Sequence, residues 1–129
     1  MSPMTQPSCS EQRKILIVDD EPSIRTSLKR LLEFRGCSVK AVPDLDQAVS
    51  AVEGEPFDAL LVDVILPGIR GPQVAERLQT VQPNLVVIFM SGYPRHALED
   101  VRETDHHLVG KPFEIDELYE AIDKALGEK

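Results

Sequence analysis

Five short runs of aliphatic and β-branched residues recur along this chain, each separated from the next by a segment with helical periodicity. The runs are ILIV (15–18), SVKAV (38–42), ALLV (59–62), LVVIFM (85–90) and HLVG (107–110). Continuous runs such as ILIV and LVVIFM suit strands covered on both faces, because a strand wetted on one side alternates instead. The intervening segments supply that cover. Ile24, Leu28, Leu31 and Leu32 fall on one helical stripe, with Pro22 suited to the first turn and Gly36 to a stop. Asp44 can cap a helix carrying Leu45, Ala48, Val49 and Val52 that ends at Gly54. Pro72 can start a third with Val74, Leu78 and Val81, before Pro83 breaks it. A fourth, near 95–103, has only Ala97, Leu98 and Val101, the thinnest apolar face of the set. The last carries Ile115, Leu118, Ile122 and Leu126. Five β-α units with short loops predict an α/β domain, a five-stranded parallel sheet with helices on both faces.

Length and charge narrow the partners. At 129 residues the chain can bury the core of one domain. Residues 1–12 (MSPMTQPSCSEQ) are rich in Ser, Pro and Gln and read as a disordered arm ahead of a domain over 13–129. A net charge of −8 repels phosphates, which argues against direct binding of nucleic acid or an anionic membrane. Cys9 and Cys37 form no CxxC pair and have no histidine nearby, so zinc is not supported. Two reduced thiols in a cytoplasmic protein are the expectation. No apolar stretch approaches membrane-spanning length, and the first dozen residues lack the apolar segment of a signal peptide.

In a parallel sheet of this kind, ligands bind beyond the carboxyl ends of the strands, where strand order reverses. Asp19 and Asp20 follow the first run, Asp63 the third, Ser91 the fourth and Lys111 the fifth. Each has an ordinary explanation when taken alone. Acids ahead of Pro22 complement a helix dipole, a strand-terminal Asp starts a turn, Ser91-Gly92 suits a turn, and Lys111 could be a surface cation. Together they carry more meaning. Clustered carboxylates form a hard oxygen site suited to Mg²⁺, and would repel one another unless a cation intervenes. A hydroxyl and an ammonium at neighbouring strand ends suit phosphoryl oxygens. An ion held there would stabilise the folded state by mass action.

The segments KILIVDDEP, LLVDVILPGIRG, FMSGY and GKPF stand in an order and spacing that resembles the receiver domain of two-component response regulators, over residues 13–127. The resemblance implies a doubly wound, flavodoxin-like sheet of order 2-1-3-4-5. It implies that Asp63 accepts a phosphoryl group from a phosphohistidine on a sensor histidine kinase or phosphotransfer protein. Asp20 and Asp63 would bind Mg²⁺ directly with the backbone carbonyl of Ile65, and Asp19 mostly through water. Ser91 and Lys111 would each hold a phosphoryl oxygen. The chain would be a switch rather than a turnover enzyme, acting on a downstream protein target. Its output surface would combine the fourth helix, fifth strand and fifth helix, which is also a candidate homodimer face. Such a domain occurs alone or within a longer response regulator or hybrid kinase.

Three positions depart from the commonest family form. Leu108 stands three residues before Lys111, where an aromatic ring often reports phosphorylation. Ile65 replaces a polar residue two after Asp63, and the bulky Tyr93 lies two after Ser91. The expectation is that Ile65 and Tyr93 flank the phosphoryl group and hinder attack by water. His96, His106 and His107 read as surface histidines rather than phosphorelay donors. A haloacid-dehalogenase-like phosphatase would need an Asp where Ile65 stands. A nucleotide or flavin module would need a glycine-rich phosphate loop where DDEPS stands. A phosphorylation-independent adaptor with a vestigial pocket is opposed by the presence of every pocket side chain.

Overall fold

Every side chain from Ile15 to Val18 is fully buried, so the first strand has to be covered from both sides. A computed structural model describes residues 13–92, 107–111 and 114–127 and shows how this is done. The elements run β1 (Lys14–Val18), α1 (Pro22–Phe34), β2 (Ser38–Val42), α2 (Leu45–Gly54) and β3 (Ala59–Asp63). There follow β4 (Ile65–Leu66), β5 (Ile69–Arg70), α3 (Gly71–Val81), β6 (Val86–Ser91), β7 (His107–Gly110) and α4 (Ile115–Ala125). The main sheet is parallel throughout, in the order β2-β1-β3-β6-β7. With β6 and β7 as the fourth and fifth major strands, this is the expected doubly wound order.

Strand periodicity divides the core into two layers. Ile15, Ile17, Leu61, Ile88 and Met90 pack with Leu28 and Leu32 of α1 and Leu118 and Ile122 of α4. Leu16, Val18, Leu60, Val62 and Phe89 face the other way, against Ala48 and Val52 of α2 and Val74 and Leu78 of α3. Burying each such large side chain contributes roughly 1.5–3 kcal/mol. The helix boundaries follow the local signals. Pro22 occupies the first turn of α1, and the chain leaves that helix through Gly36, whose φ of 93° suits glycine. The Asp44 side chain caps α2 by accepting from Gln47 N at 3.0 Å.

The amino-terminal edge of the sheet is stitched by polar side chains. Gln82, just past α3, donates through Nε2 to the carbonyls of Val52 (2.8 Å) and Glu55 (2.7 Å) and accepts from Phe57 N at 2.8 Å. Lys14 N donates to Asp58 Oδ2 at 2.8 Å, and Lys14 Nζ pairs with Glu55. That hydrogen bond, with the nearby ammonium charge, holds the Glu55 carboxyl below its ordinary range despite some desolvation. These ties leave the opposite edge to carry the loops that matter for chemistry.

Several expectations need correction or fall outside the described residues. The segment after β3 contains a small antiparallel hairpin, β4–β5, pairing Ile65 with Arg70 and Leu66 with Ile69. Runs of two residues are too short to give a strand pattern. Val81 is 40% exposed, because α3 is ending there and the stripe has rotated off the core. Ile115 is likewise exposed at the first turn of α4. His107 is not a plain surface residue: it opens β7, half-buried and paired with Ile88. Cys37 is buried and disulfide-bonded rather than a reduced thiol, and its partner lies outside the described residues. The arm at 1–12, Tyr93, the fourth helix near 95–103 with His96, His106 and Pro112 lie outside the described residues, so of the expected output surface only the fifth strand and the last helix are described. No helix among the described residues is long and apolar enough to cross a membrane.

Leu61 lies on the central strand with no accessible surface. Leu61→Ala is expected to cost about 2–5 kcal/mol in urea unfolding, against less than about 1 kcal/mol for Val81→Ala.

Candidate functional site

The parallel register brings the carboxyl ends of β1, β3, β6 and β7 to one edge. Val18 pairs with Val62, Asp63 with Met90, and Ser91 with Gly110. The residue that follows each strand therefore emerges beside its neighbours. Strand order reverses between β1 and β3, and the three acids lie at that switch point.

Asp19 continues the ladder beyond β1, its N–H donating to Val42 O at 3.2 Å. Its Oδ1 then accepts from Glu21 N at 2.9 Å, a local bond that turns the chain into α1 at Pro22. Asp19 is completely buried, whereas Asp20, at the crest of this turn, is exposed. Asp63 is the last residue of β3, and its Oδ1 accepts from Ile65 N at 3.1 Å.

Two glycine-dependent or backbone contacts set the remaining pieces. Gly71 opens α3 against the turn after β3, donating its N–H to Val64 O at 2.6 Å. A Cβ at Gly71 would run into the Asp63 carbonyl oxygen and lie 2.9 Å from Val64 Cα. The helix can approach the Asp63 turn this closely only because that residue is glycine. On the other side, Lys111 N donates to Ser91 O at 2.7 Å, which draws the lysine in beside the end of β6.

The ammonium of Lys111 sits between two of the acids, 2.7 Å from Asp63 Oδ2 and 3.0 Å from Asp19 Oδ2. Burial alone would lower the Lys111 pKa. The hydrogen bonds to Asp63 and Asp19, with the charges of both carboxylates, outweigh it and hold the pKa above its ordinary 10.5. Lys111 thus places a positive charge of the chain's own between two of the acids. Asp19, Asp20 and Asp63 each offer one carboxylate oxygen, and these oxygens lie within 4.8 Å of one another. Three hard donors at that spacing fit Mg²⁺, which takes few protein ligands and keeps waters.

Ser91 stands at the same edge but is only 2% exposed, more enclosed than a turn serine would be. Ile65 is 43% exposed on the outer side of the Asp63 turn. Leu108 lies half-buried, paired with Phe89 and packed against the α2–α3 side of the core. The structure therefore gathers Asp19, Asp20, Asp63 and Lys111 into one cluster, with Ser91 and Ile65 beside it. Two contributors went unmarked as site residues in the sequence reading. Gly71 could have been picked out as the closing glycine of LPGIRG, whereas the contact of Arg25 with Asp19 O, at 2.8 Å, has no sequence signal beyond its place one turn into α1.

The family model described as the response regulator receiver domain matches residues 15–123. The chain belongs to that family. The transcriptional regulatory protein TcrA of Mycobacterium tuberculosis is 36% identical to this receiver domain over 108 residues, which are 82% of this chain and 43% of TcrA. The chain thus spans less than half the length of that relative. Sporulation initiation phosphotransferase F of Bacillus subtilis is 33% identical over 118 residues, 88% of this chain and 93% of that protein. Among solved structures, the response regulator protein TrrA of Thermotoga maritima, in complex with Mg²⁺-BeF, is 30% identical. It superposes with a TM-score of 0.77 over 89% of this chain and 100% of its own.

Because the folded-state pKa of Lys111 is raised, its contribution to stability is fully present below 10.5 and is lost as pH rises through the raised value. Lys111→Met leaves the buried Asp19 carboxylate uncompensated and is expected to cost roughly 3 kcal/mol near neutral pH. Thermal midpoints compared across pH should show a gap between the two proteins that is widest below 10.5 and narrows as pH rises through the raised Lys111 value.

Proposed function

We propose that this receiver domain is a phosphorylation-driven switch in which Asp63 accepts a phosphoryl group from a phosphohistidine. The single observation that carries the reading is the Lys111 ammonium, held between Asp63 and Asp19 at the rim of a three-carboxylate cluster. An Asp63 oxygen attacks phosphorus as the P–N bond breaks. The imidazole leaves with that electron pair and takes up a proton, so an acyl phosphate forms on Asp63. Asp19, Asp20 and Asp63, with the Ile65 carbonyl, would hold Mg²⁺. When bound, the ion would share the negative charge of the phosphoryl oxygens.

The protein groups do the rest. Lys111 gives up part of its contact with Asp63 and takes a phosphoryl oxygen, keeping a charge-assisted bond in both states. The Ser91 hydroxyl takes another. Because Lys111 is bonded through its backbone to Ser91, a change at either residue is felt at the end of β6 and the start of the chain beyond β7. The phosphorylated form is selected through these contacts and presents an altered surface to a protein target. The upstream partner is a sensor histidine kinase or phosphotransfer protein, and turnover of a free substrate is not part of the role. Ile65, exposed two residues after Asp63, puts an apolar side chain where many receivers carry a polar one, which would hinder attack by water.

Incubation with Mg²⁺ and a small phosphodonor, read by intact mass, tests the assignment. Wild-type protein should gain one phosphoryl group and Asp63→Asn none, and equal labelling of both would sink it. Followed over time in the same assay, Ile65→Asn should shorten the half-life of the labelled form. An unchanged half-life would remove Ile65 from the account.

A further inference from the structure

We propose that Arg25 is a positioning residue for the divalent-cation site, acting through the peptide bond that joins Asp19 to Asp20. The inference rests on reading the acidic cluster as the Mg²⁺ site. Arg25 lies one turn into α1, its own N–H bonded to Glu21 O at 3.1 Å, and its side chain folds back over the β1–α1 turn. There Nη1 donates to Asp19 O at 2.8 Å. That carbonyl belongs to the peptide leading into Asp20, so the bond fixes the plane from which Asp20 projects.

The peptide on the other side of Asp20 is pinned as well, because Glu21 N donates to Asp19 Oδ1 at 2.9 Å. Asp20 itself is exposed, and its carboxylate makes no hydrogen bond among the described residues. Its direction is therefore inherited from the backbone. Of the three acids, Asp19 is oriented by Glu21 N and Lys111, and Asp63 by Ile65 N and Lys111. Asp20 depends on the two pinned peptides, and Arg25 holds one of them.

A positioning role and a purely electrostatic one predict opposite signs. Removing a cation beside three carboxylates should tighten Mg²⁺ binding if charge alone matters. Removing the bond that orients Asp20 should loosen it, on the scale of about tenfold seen when groups supporting a metal ligand are lost. Magnesium titrations by calorimetry on wild type, Arg25→Met and Arg25→Gln decide between them. The expected result is weaker binding in both variants, by about tenfold for Met and less for Gln, which retains an amide donor. Binding as tight as wild type, or tighter, in folded Arg25→Met overturns the proposal. In metal-free protein, the Glu21 amide should exchange with solvent faster in the variants, and unchanged exchange would also overturn it. Failure of the wild type to bind Mg²⁺ would overturn the underlying reading of the cluster as well, whereas tight binding by wild type and variants alike removes Arg25 only.

Discussion

Three carboxylates held with oxygens within 4.8 Å of one another resist folding unless positive charge is brought among them. In this protein the tie is the Lys111 ammonium, bonded to carboxylates that leave β1 and β3. It joins the end of one edge strand, β7, to β3 and β1 across the intervening β6. The site is thus also a structural link. The group that would meet a phosphoryl oxygen is, at rest, the group that makes the acidic cluster tolerable.

That dual use depends on the sheet. Parallel register sets the level of each strand end, and a slip of one residue in β7 would move Lys111 away from Ser91 and turn it from the acids. The polar stitching by Gln82, Asp58 and Lys14 lies at the far edge, so it steadies the sheet without touching the site. Close approach at Gly71 and the bond from Arg25 serve the near edge, seating the turns after β3 and β1 on α3 and α1. Chemistry and support are divided between the two ends of the same strands.

Most of the scaffold could be read from residue order. ILIV and LVVIFM announce buried parallel strands, Pro22 and Asp44 mark helix starts, and the acids and the lysine fall at strand ends because apolar runs stop there. The family resemblance supplied the strand order. What escaped the sequence were features set by contact in space. The β4–β5 hairpin is too short for a periodic signal, and the exposure of Val81 depends on where α3 leaves the core. The enclosure of Ser91 and the reach of Arg25 to a carbonyl are likewise properties of packing rather than pattern.

The most direct test is a crystal structure of the chain grown with Mg²⁺ and beryllofluoride. The account predicts the metal among Asp19, Asp20 and Asp63, the fluoride group bonded to an Asp63 oxygen, and Lys111 shifted from Asp63 onto a fluorine. A metal bound elsewhere, or Lys111 still bridging Asp19 and an unmodified Asp63, would contradict it.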